Sequence, residues 1–160
     1  MIELQRASAG SGKTFTLAKK FIWYYITIPY EEVGDYKEIA SDDGIPEGEN
    51  RGRRLRTPSE LRDSLSHILA VTFTNKATNE MQQRIVEKLY ALGYPPANGK
   101  KPDYMKEFFD DLNAMSDRPV TEKEISETCR NAVGLLLNNY SDFHVSPIES
   151  FFQQVLRTFA

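Results

Sequence analysis

A glycine-rich run near the start of the chain has the residue types and spacing of a phosphate-binding loop. Ala7–Thr14 reads Ala-Ser-Ala-Gly-Ser-Gly-Lys-Thr, with Ala7 where the general pattern has glycine. Gly10 and Gly12 allow the dihedral angles that turn successive backbone N–H groups toward one anion. The Lys13 ammonium suits the β- and γ-phosphates of a nucleoside triphosphate, and the Thr14 hydroxyl suits its Mg²⁺. The predicted phosphate-contacting residues are Ala9, Gly10, Ser11, Gly12, Lys13 and Thr14, and the last two are also assigned the catalytic contacts.

The flanking residues predict the elements that would hold this loop. Ile2 and Leu4 alternate with polar residues, which indicates a short strand before it. From Lys13 onward, apolar residues repeat at helical spacing, and Pro29 is expected to end that helix. The repeating residues are Ala18, Phe21, Ile22 and Tyr25.

A second strand is predicted at Ile68–Val71, a continuous apolar run that is typical of a strand buried on both faces of a parallel sheet. After it come Phe73, Thr74 and Asn75 and then a strongly amphipathic helix, with Gly93 beyond its end. The apolar stripe of this helix consists of Met81, Ile85, Leu89 and Leu92.

The segment Glu31–Ser66 is polar and is expected to be a mostly irregular, mobile insert with one short helix after Pro58. A charged run in such an insert is expected to be solvated. The run consists of Arg51, Arg53, Arg54 and Arg56.

Helices dominate the rest of the chain. Asn98–Ser141 carries two helical stripes, the second capped by Thr121. The last helix is expected to have Ser146 as its cap, Pro147 at its first position and Glu149 as the partner of the cap.

Composition and charge narrow the class of protein. Lys and Arg total 20 and Asp and Glu total 23, so the net charge of −3 excludes a uniformly basic coat for nucleic acid. The single cysteine, Cys129, excludes internal disulfides and a four-cysteine zinc site, and His67 and His144 are expected at strand edges. The longest apolar run, Phe21–Ile28, is too short to cross a bilayer, and the first residues do not form a secretory leader. A cytoplasmic protein with no membrane partner is therefore expected.

Three segments, Ala7–Thr16, His67–Met81 and Val145–Phe152, occur in the order of three motifs of one family. The first resembles motif I of the UvrD/Rep-like superfamily 1 DNA helicases, and more narrowly of the RecB/AddA-type helicase–nucleases. The second is similar to their motif Ia almost letter for letter, and the third resembles the Thr-Ile-(Asp/His)-Ser-Phe motif that follows. Together the motifs span nearly the whole chain.

The resemblance implies the fold class: an α/β P-loop NTPase lobe of the RecA-like type, incomplete, whose parallel sheet carries an inserted all-helical subdomain. Residues 1–94 would form the N-terminal half of the ATP-binding lobe, with the polar insert 31–66 inside it. Residues 95–141 would form the helical subdomain, and residues 142–160 would return to the lobe.

The resemblance also implies an ATP-driven helicase that moves along single-stranded DNA in repair or recombination, with ATP and Mg²⁺ as cofactors. By position, Phe73 would lie against a base, and Thr74 and Asn75 would contact the strand. Ser150 and Phe151 would contact it from the later motif. An aromatic ring stacks on any base, and hydroxyl and amide groups suit phosphate and sugar oxygens.

An Asp-Glu pair that would hold Mg²⁺ and orient the attacking water follows none of the predicted strands. Asp42–Asp43 lies in the polar insert, and Asp110–Asp111 lies within a helix. The chain is therefore expected to be the N-terminal piece of a longer protein, one that binds nucleotide weakly without hydrolysing ATP or unwinding DNA. No room remains before Met1 for the adenine-reading glutamine of UvrD-like members. This favours the RecB/AddA branch, with a second helicase–nuclease subunit as a candidate partner.

Two other functions stay open. Asn75–Thr78 superficially resembles the guanine-reading Asn-Lys-x-Asp sequence of GTPases, with Thr78 at the aspartate, so another P-loop enzyme such as a GTPase or kinase is one alternative. A non-catalytic nucleotide-binding module is the other. A preference for GTP would favour the first, and unchanged behaviour of a Lys13→Ala variant would favour the second.

Overall fold

A computed structural model describes residues 2–4, 12–30, 52–115 and 118–159 and shows a mixed helix–strand fold with a small parallel sheet. This confirms the α/β expectation at that level. The RecA-like assignment and the domain boundaries stay predictions. In chain order the elements are β1 (Ile2–Leu4), α1 (Gly12–Ile26), β2 (Thr27–Pro29), β3 (Arg53–Leu55), α2 (Pro58–Ser64), β4 (Leu69–Thr72), α3 (Asn75–Gly93), α4 (Met105–Met115), α5 (Glu122–Asn138), β5 (His144–Pro147) and α6 (Ile148–Phe159).

The parallel sheet has the order β1-β4-β5, so β4 is its central strand. Leu4 pairs with Val71 on one side of β4, and Ser146 pairs with Val71 on the other. Ala70 and Val71 are each 1% exposed. The prediction of a strand covered on both faces is therefore confirmed.

Helices α1, α3 and α5 form the main core beside this sheet. The predicted apolar faces of α1 and α3 are both buried. The Tyr25 hydroxyl donates a hydrogen bond of 2.7 Å to the Ala132 carbonyl, which joins α1 to α5. Burial raises the pKa of Tyr25, and the neutral phenol therefore remains a donor at every ordinary pH.

Gly93 is the last residue of α3, and the sequence-based prediction that it lies beyond the helix end is wrong. Its role is close packing. A Cβ atom at this position would lie 2.8 Å from the backbone nitrogen of Arg130 in α5. The Arg130 side chain also donates a hydrogen bond of 3.2 Å to the Gly93 carbonyl. The missing side chain therefore lets α3 and α5 touch backbone to backbone.

The polar insert is regular from β3 onward, which corrects the expectation of a mostly irregular segment for that part. β3 pairs antiparallel with β2. Because Thr27–Pro29 is used in that pairing, α1 ends at Ile26, three residues before Pro29. The expected short helix is confirmed as α2, which begins with a capping box between Thr57 and Glu60. Residues 31–51, on which the rest of this prediction falls, lie outside the described residues.

The caps of the last two long helices differ in outcome. Thr121 caps α5 as predicted, since its hydroxyl accepts a hydrogen bond of 3.2 Å from the Glu124 N–H. Ser146 does not cap α6, because Ser146 and Pro147 belong to β5 and pair with β4. The pairing extends the strand to Pro147, and α6 begins directly at Ile148.

Candidate nucleotide and nucleic-acid site

Three predicted functional segments follow the carboxyl ends of the three neighbouring parallel strands. β1 ends at Leu4, before the glycine-rich run; β4 ends at Thr72, before Phe73. β5 ends at Pro147 and passes directly into α6. Because the strands are parallel, all three segments leave the same edge of the sheet. This edge is where open α/β sheets bind their ligands.

The structure fixes what precedes and follows the glycine-rich run. Residues 5–11 and the side chains of Lys13 and Thr14 lie outside the described residues, so their predicted contacts with phosphate and Mg²⁺ stay predictions. The backbone of α1 begins at Gly12 and continues for 15 residues. A strand, a glycine-rich connection and a helix N-terminus are the elements that such a loop requires.

The turn between β4 and α3 is the best described part of the candidate site. Phe73 is 45% exposed, so its ring is not part of the core. The Thr74 hydroxyl caps α3, accepting a hydrogen bond of 3.0 Å from the Ala77 N–H. Asn75 and Lys76 are exposed on the first turn of the helix. Aromatic, hydroxyl and amide groups therefore reach solvent within three consecutive residues.

A buried pair of hydroxyls lies beneath this turn. The Thr72 and Thr78 Oγ1 atoms are 2.6 Å apart, and Thr78 Oγ1 is 3.1 Å from the Thr74 carbonyl oxygen. Sequence analysis missed this pair. Its signal is present in the sequence, because one threonine ends a buried strand and the other stands on the inner face of the following helix turn.

The later motif is described only in part. The backbone of Ser150 and Phe151 lies in the first turn of α6, and their side chains lie outside the described residues. Glu149 is exposed at the start of that helix. Phe152 and Leu156 are 55% and 68% exposed, so neither side chain packs in the core.

Arg53 contradicts the expectation that the arginines of the insert are solvated. It is 6% exposed, and its guanidinium donates hydrogen bonds to the Thr27 hydroxyl at 2.7 Å and the Thr27 carbonyl at 3.0 Å. It also lies over the Tyr24 ring, 5.1 Å from the centroid. Burial lowers the pKa of Arg53 to about 10, with the nearby charge of Arg56 adding to the effect, so Arg53 stays charged at neutral pH. This arginine therefore connects β3 to β2.

Arg54 and Arg56 are also engaged within the protein. Arg54 donates two hydrogen bonds, of 2.7 and 2.8 Å, to the two carboxylate oxygens of Glu60. These bonds hold the pKa of Glu60 at about 2. The Arg56 guanidinium donates to the Tyr24 carbonyl at 3.3 Å, and burial lowers its pKa. Arg51 lies outside the described residues.

The other reactive residue types have structural surroundings. Cys129 is fully buried in α5, and burial raises the pKa of its thiol. His67 Nδ1 lies 2.7 Å from the Asp63 carbonyl oxygen at the end of α2, and His144 is exposed at the start of β5. Across the described ranges, no group of three or more His, Cys, Asp or Glu residues could hold a metal ion. In the same ranges, no helix has the length and apolar character needed to cross a membrane.

The comparison with protein families settles the relationship that these features indicate. The family model described as the UvrD/REP helicase N-terminal domain matches residues 54–160. The chain belongs to this family. The match includes the turn after β4 and the start of α6, and it begins after the glycine-rich run. Searches of curated proteins and of solved structures found no match.

Proposed function

We propose that the chain is the ATP-binding N-terminal part of an ATP-dependent DNA helicase that moves along single-stranded DNA. The observation that carries this proposal is the common sheet edge. The glycine-rich run, the turn with exposed Phe73 and the start of α6 follow three adjacent parallel strands. A nucleotide site and a strand-binding site would thus be neighbours on one rigid sheet.

The nucleotide part of the proposal rests on the run Ala7–Thr14 between β1 and α1. ATP with Mg²⁺ supplies a dense negative charge and a transferable phosphoryl group. The backbone N–H groups of Ala9–Gly12 would bind the phosphates, helped by the positive end of the α1 dipole. Lys13 would bind the terminal phosphates, and the Thr14 hydroxyl would complete the shell of Mg²⁺.

The single-strand part rests on the turn after β4. The Phe73 ring is 45% exposed, and an aromatic ring can stack on any base. Thr74 Oγ1 already accepts a hydrogen bond from the Ala77 N–H, and its own proton remains a donor for a phosphate oxygen. The Asn75 amide stands one residue further on. Ser150 and Phe151 would contact the same strand from α6, because β5 lies next to β4.

The surroundings of Thr78 disfavour the GTPase alternative. A guanine-reading aspartate must point its carboxylate at a ligand. Thr78, which holds that place in the pattern, is 8% exposed and bonded to Thr72 and Thr74. The family match also favours a helicase over a kinase.

The narrower parts of the proposal rest on the motifs alone. We infer a RecB/AddA-type parent with a second helicase–nuclease subunit and a role in repair or recombination. The described acidic pair Asp110–Asp111 lies within α4, and Asp110 binds Lys106 at 2.9 Å. These 160 residues alone are therefore expected to bind nucleotide without hydrolysing it.

The nucleotide site is tested with a fluorescent ATP analogue and the Lys13→Ala variant. Binding to the unmodified chain, lost in Lys13→Ala and kept in Lys19→Ala, is the expected result. Lys19 is a matched control because it lies on the same helix, α1. A Lys13→Ala variant that behaves like the unmodified chain would contradict a nucleotide site at Ala7–Thr14 and favour a non-catalytic module that uses the fold for protein contacts only. Stronger competition by GTP than by ATP would favour another P-loop enzyme.

A further inference from the structure

The hydroxyl pair beneath the β4–α3 turn consists of two buried side chains from different elements. Thr72, the last residue of β4, is 1% exposed, and Thr78, in the first turn of α3, is 8% exposed. Their Oγ1 atoms are 2.6 Å apart. A valine at either position would fill nearly the same volume. The hydroxyls therefore contribute hydrogen bonds that orient the backbone, in addition to packing.

The number of hydroxyl protons determines which carbonyl groups the pair can bind. Two hydroxyls have two protons, and the 2.6 Å contact between them uses one, whichever residue donates it. When Thr72 donates in that contact, Thr78 is left to donate to the Thr74 carbonyl at 3.1 Å. When Thr78 donates, Thr72 is left with the Thr74 carbonyl at 3.3 Å or the Ser146 carbonyl at 3.5 Å.

The shorter available bond always ends on Thr74, the residue that directly follows Phe73. The Thr74 carbonyl oxygen also accepts the Thr78 N–H at 3.0 Å, and the Thr74 hydroxyl caps the helix. Hydrogen bonds therefore hold both the backbone carbonyl and the side-chain hydroxyl of Thr74. A fixed Thr74 limits the directions in which its exposed neighbours, Phe73 and Asn75, can leave the backbone.

The weaker alternative acceptor belongs to the neighbouring strand. Ser146 pairs with Val71 in the sheet and stands two residues before α6. The pair thus lies within reach of both segments that are proposed to contact DNA. When Thr78 donates within the pair, the Thr72 hydroxyl can reach the Ser146 carbonyl at 3.5 Å as well as the Thr74 carbonyl at 3.3 Å.

We propose that Thr72 and Thr78 are positioning residues, which hold the turn so that Phe73 and the Thr74 hydroxyl are already oriented for single-stranded DNA. This inference rests on the proposed function, because it needs Phe73 to contact a base. A pre-oriented ring binds more tightly, since less freedom is lost when the strand arrives. Removing one hydroxyl would let the turn sample other directions without removing any group that touches DNA.

The test uses a fluorescein-labelled oligothymidylate of about 16 nucleotides, long enough to cover one binding groove, with anisotropy as the readout. Thr78→Val removes the hydroxyl at constant volume, and Thr78→Ser keeps it. We expect Thr78→Val to bind about 5- to 10-fold more weakly and Thr78→Ser to stay within about 2-fold of the unmodified chain. A thermal melt of each variant confirms that it is folded at the assay temperature.

A double-mutant cycle separates positioning from general damage. If Thr78 acts through Phe73, the double variant Phe73→Ala with Thr78→Val binds no more weakly than Phe73→Ala alone. The inference would be overturned if the double variant lost affinity by the product of the two single fold-losses. It would also be overturned if Thr78→Val bound as tightly as the unmodified chain. Thr72→Val provides the same cycle from the strand side if Thr78→Val unfolds.

The cycle also distinguishes this inference from the proposed function. Loss of binding in Phe73→Ala together with full binding in Thr78→Val contradicts the positioning role alone. Full binding in Phe73→Ala, or no binding by the unmodified chain, contradicts the proposed DNA site and the inference with it.

Discussion

Two polar regions of this protein use their side chains in opposite ways. The turn after β4 exposes Phe73, Thr74 and Asn75, and its buried threonines hold the backbone from below. The strand β3 carries Arg53 and Arg54, whose cationic groups bond to neighbouring atoms of the same chain. The first region places aromatic, hydroxyl and amide groups at the surface, and the second uses its charged groups to connect elements of the fold.

The difference shows that residue type alone does not tell which side chains are accessible to a ligand. The arginine run has the composition of a phosphate-binding surface, and the turn has only neutral side chains and one lysine. The exposure of the side chains gives the opposite order to their charge. Arg53 is 6% exposed, and Phe73 is 45% exposed. Under the proposed function, exposure on a backbone held by hydrogen bonds is therefore a better guide to the strand-binding site than the local density of charge.

Replacing Arg53 is the severest test of this comparison. Arg53→Met keeps the apolar stem and removes two buried hydrogen bonds to Thr27, each from a charged donor. We expect a loss of about 2 to 3 kcal/mol in the free energy of unfolding, measured by urea titration. Binding of single-stranded DNA by the folded fraction should stay unchanged. The exposed Arg62 in α2 is the matched control, and its change to Met should alter stability by less than about 0.5 kcal/mol. Weaker DNA binding in Arg53→Met would break the comparison.

Replacing Phe73 should give the opposite result. Phe73→Ala is expected to weaken binding of single-stranded DNA by about 2 kcal/mol, or about 30-fold, because one stacked base is lost. Its free energy of unfolding should change by less than about 0.5 kcal/mol, since the ring is not part of the core. Tyr90, another exposed aromatic residue at the far end of α3, supplies the control. Equal losses of DNA binding in Tyr90→Ala and Phe73→Ala would argue against a localised site.

The ion pair between Arg54 of β3 and Glu60 makes a contribution to the free energy of unfolding that depends on pH. Hydrogen bonds from Arg54 lower the pKa of Glu60 from 4.5 to about 2. The stabilisation is therefore complete above about pH 4.5 and is lost as the pH falls through about 2. Glu60→Gln keeps a capping partner for Thr57, and at neutral pH it should cost only about 1 kcal/mol because the pair is partly exposed.

Urea titrations of both proteins across this pH range check the assignment. The gap between the two unfolding free energies should narrow as the pH approaches 2. A gap that is constant over the whole range would show that the carboxylate charge contributes nothing.

A substitution at Asn75 is expected to have the smallest effect, and to change stability and DNA binding in opposite directions. Asn75→Asp places a negative charge in the first turn of α3, which has no acidic residue there. Interaction with the helix dipole should raise the free energy of unfolding by about 0.5 kcal/mol. The same charge should repel phosphates and weaken DNA binding about 5-fold. Asn75→Ala is the control, and a gain in DNA affinity by Asn75→Asp would exclude a strand-binding role for this position.

The sequence predicted the elements that have strong local signals. The run Ile68–Val71 and the apolar stripe of α3 identified the central strand and its helix, because a buried strand and an amphipathic helix have different periods. The position of Phe73 after that strand followed directly. These are the parts on which the candidate site depends.

The sequence could not predict the parts that depend on pairing between distant segments. β3 is a strand only because Thr27–Pro29 lies beside it, and Ser146 is in a strand only because Val71 is its neighbour. The Thr72–Thr78 bond likewise requires the turn geometry that brings two elements together. Local sequence preference favoured a loop at β3 and a helix cap at Ser146, and it gave no sign of a bond between Thr72 and Thr78. Tertiary contacts determine all three.

The shared ladder between β1 and β4 has a mechanical consequence. Leu4 and Val71 are paired, so the segments that follow β1 and β4 leave the sheet about 4.8 Å apart, the spacing of neighbouring β-strands. The two strands are joined directly by backbone pairing over Ile2–Leu4 and Leu69–Val71. In the proposed motor, a change at the phosphates would therefore have to cross only one pair of strands to reach the base-binding turn.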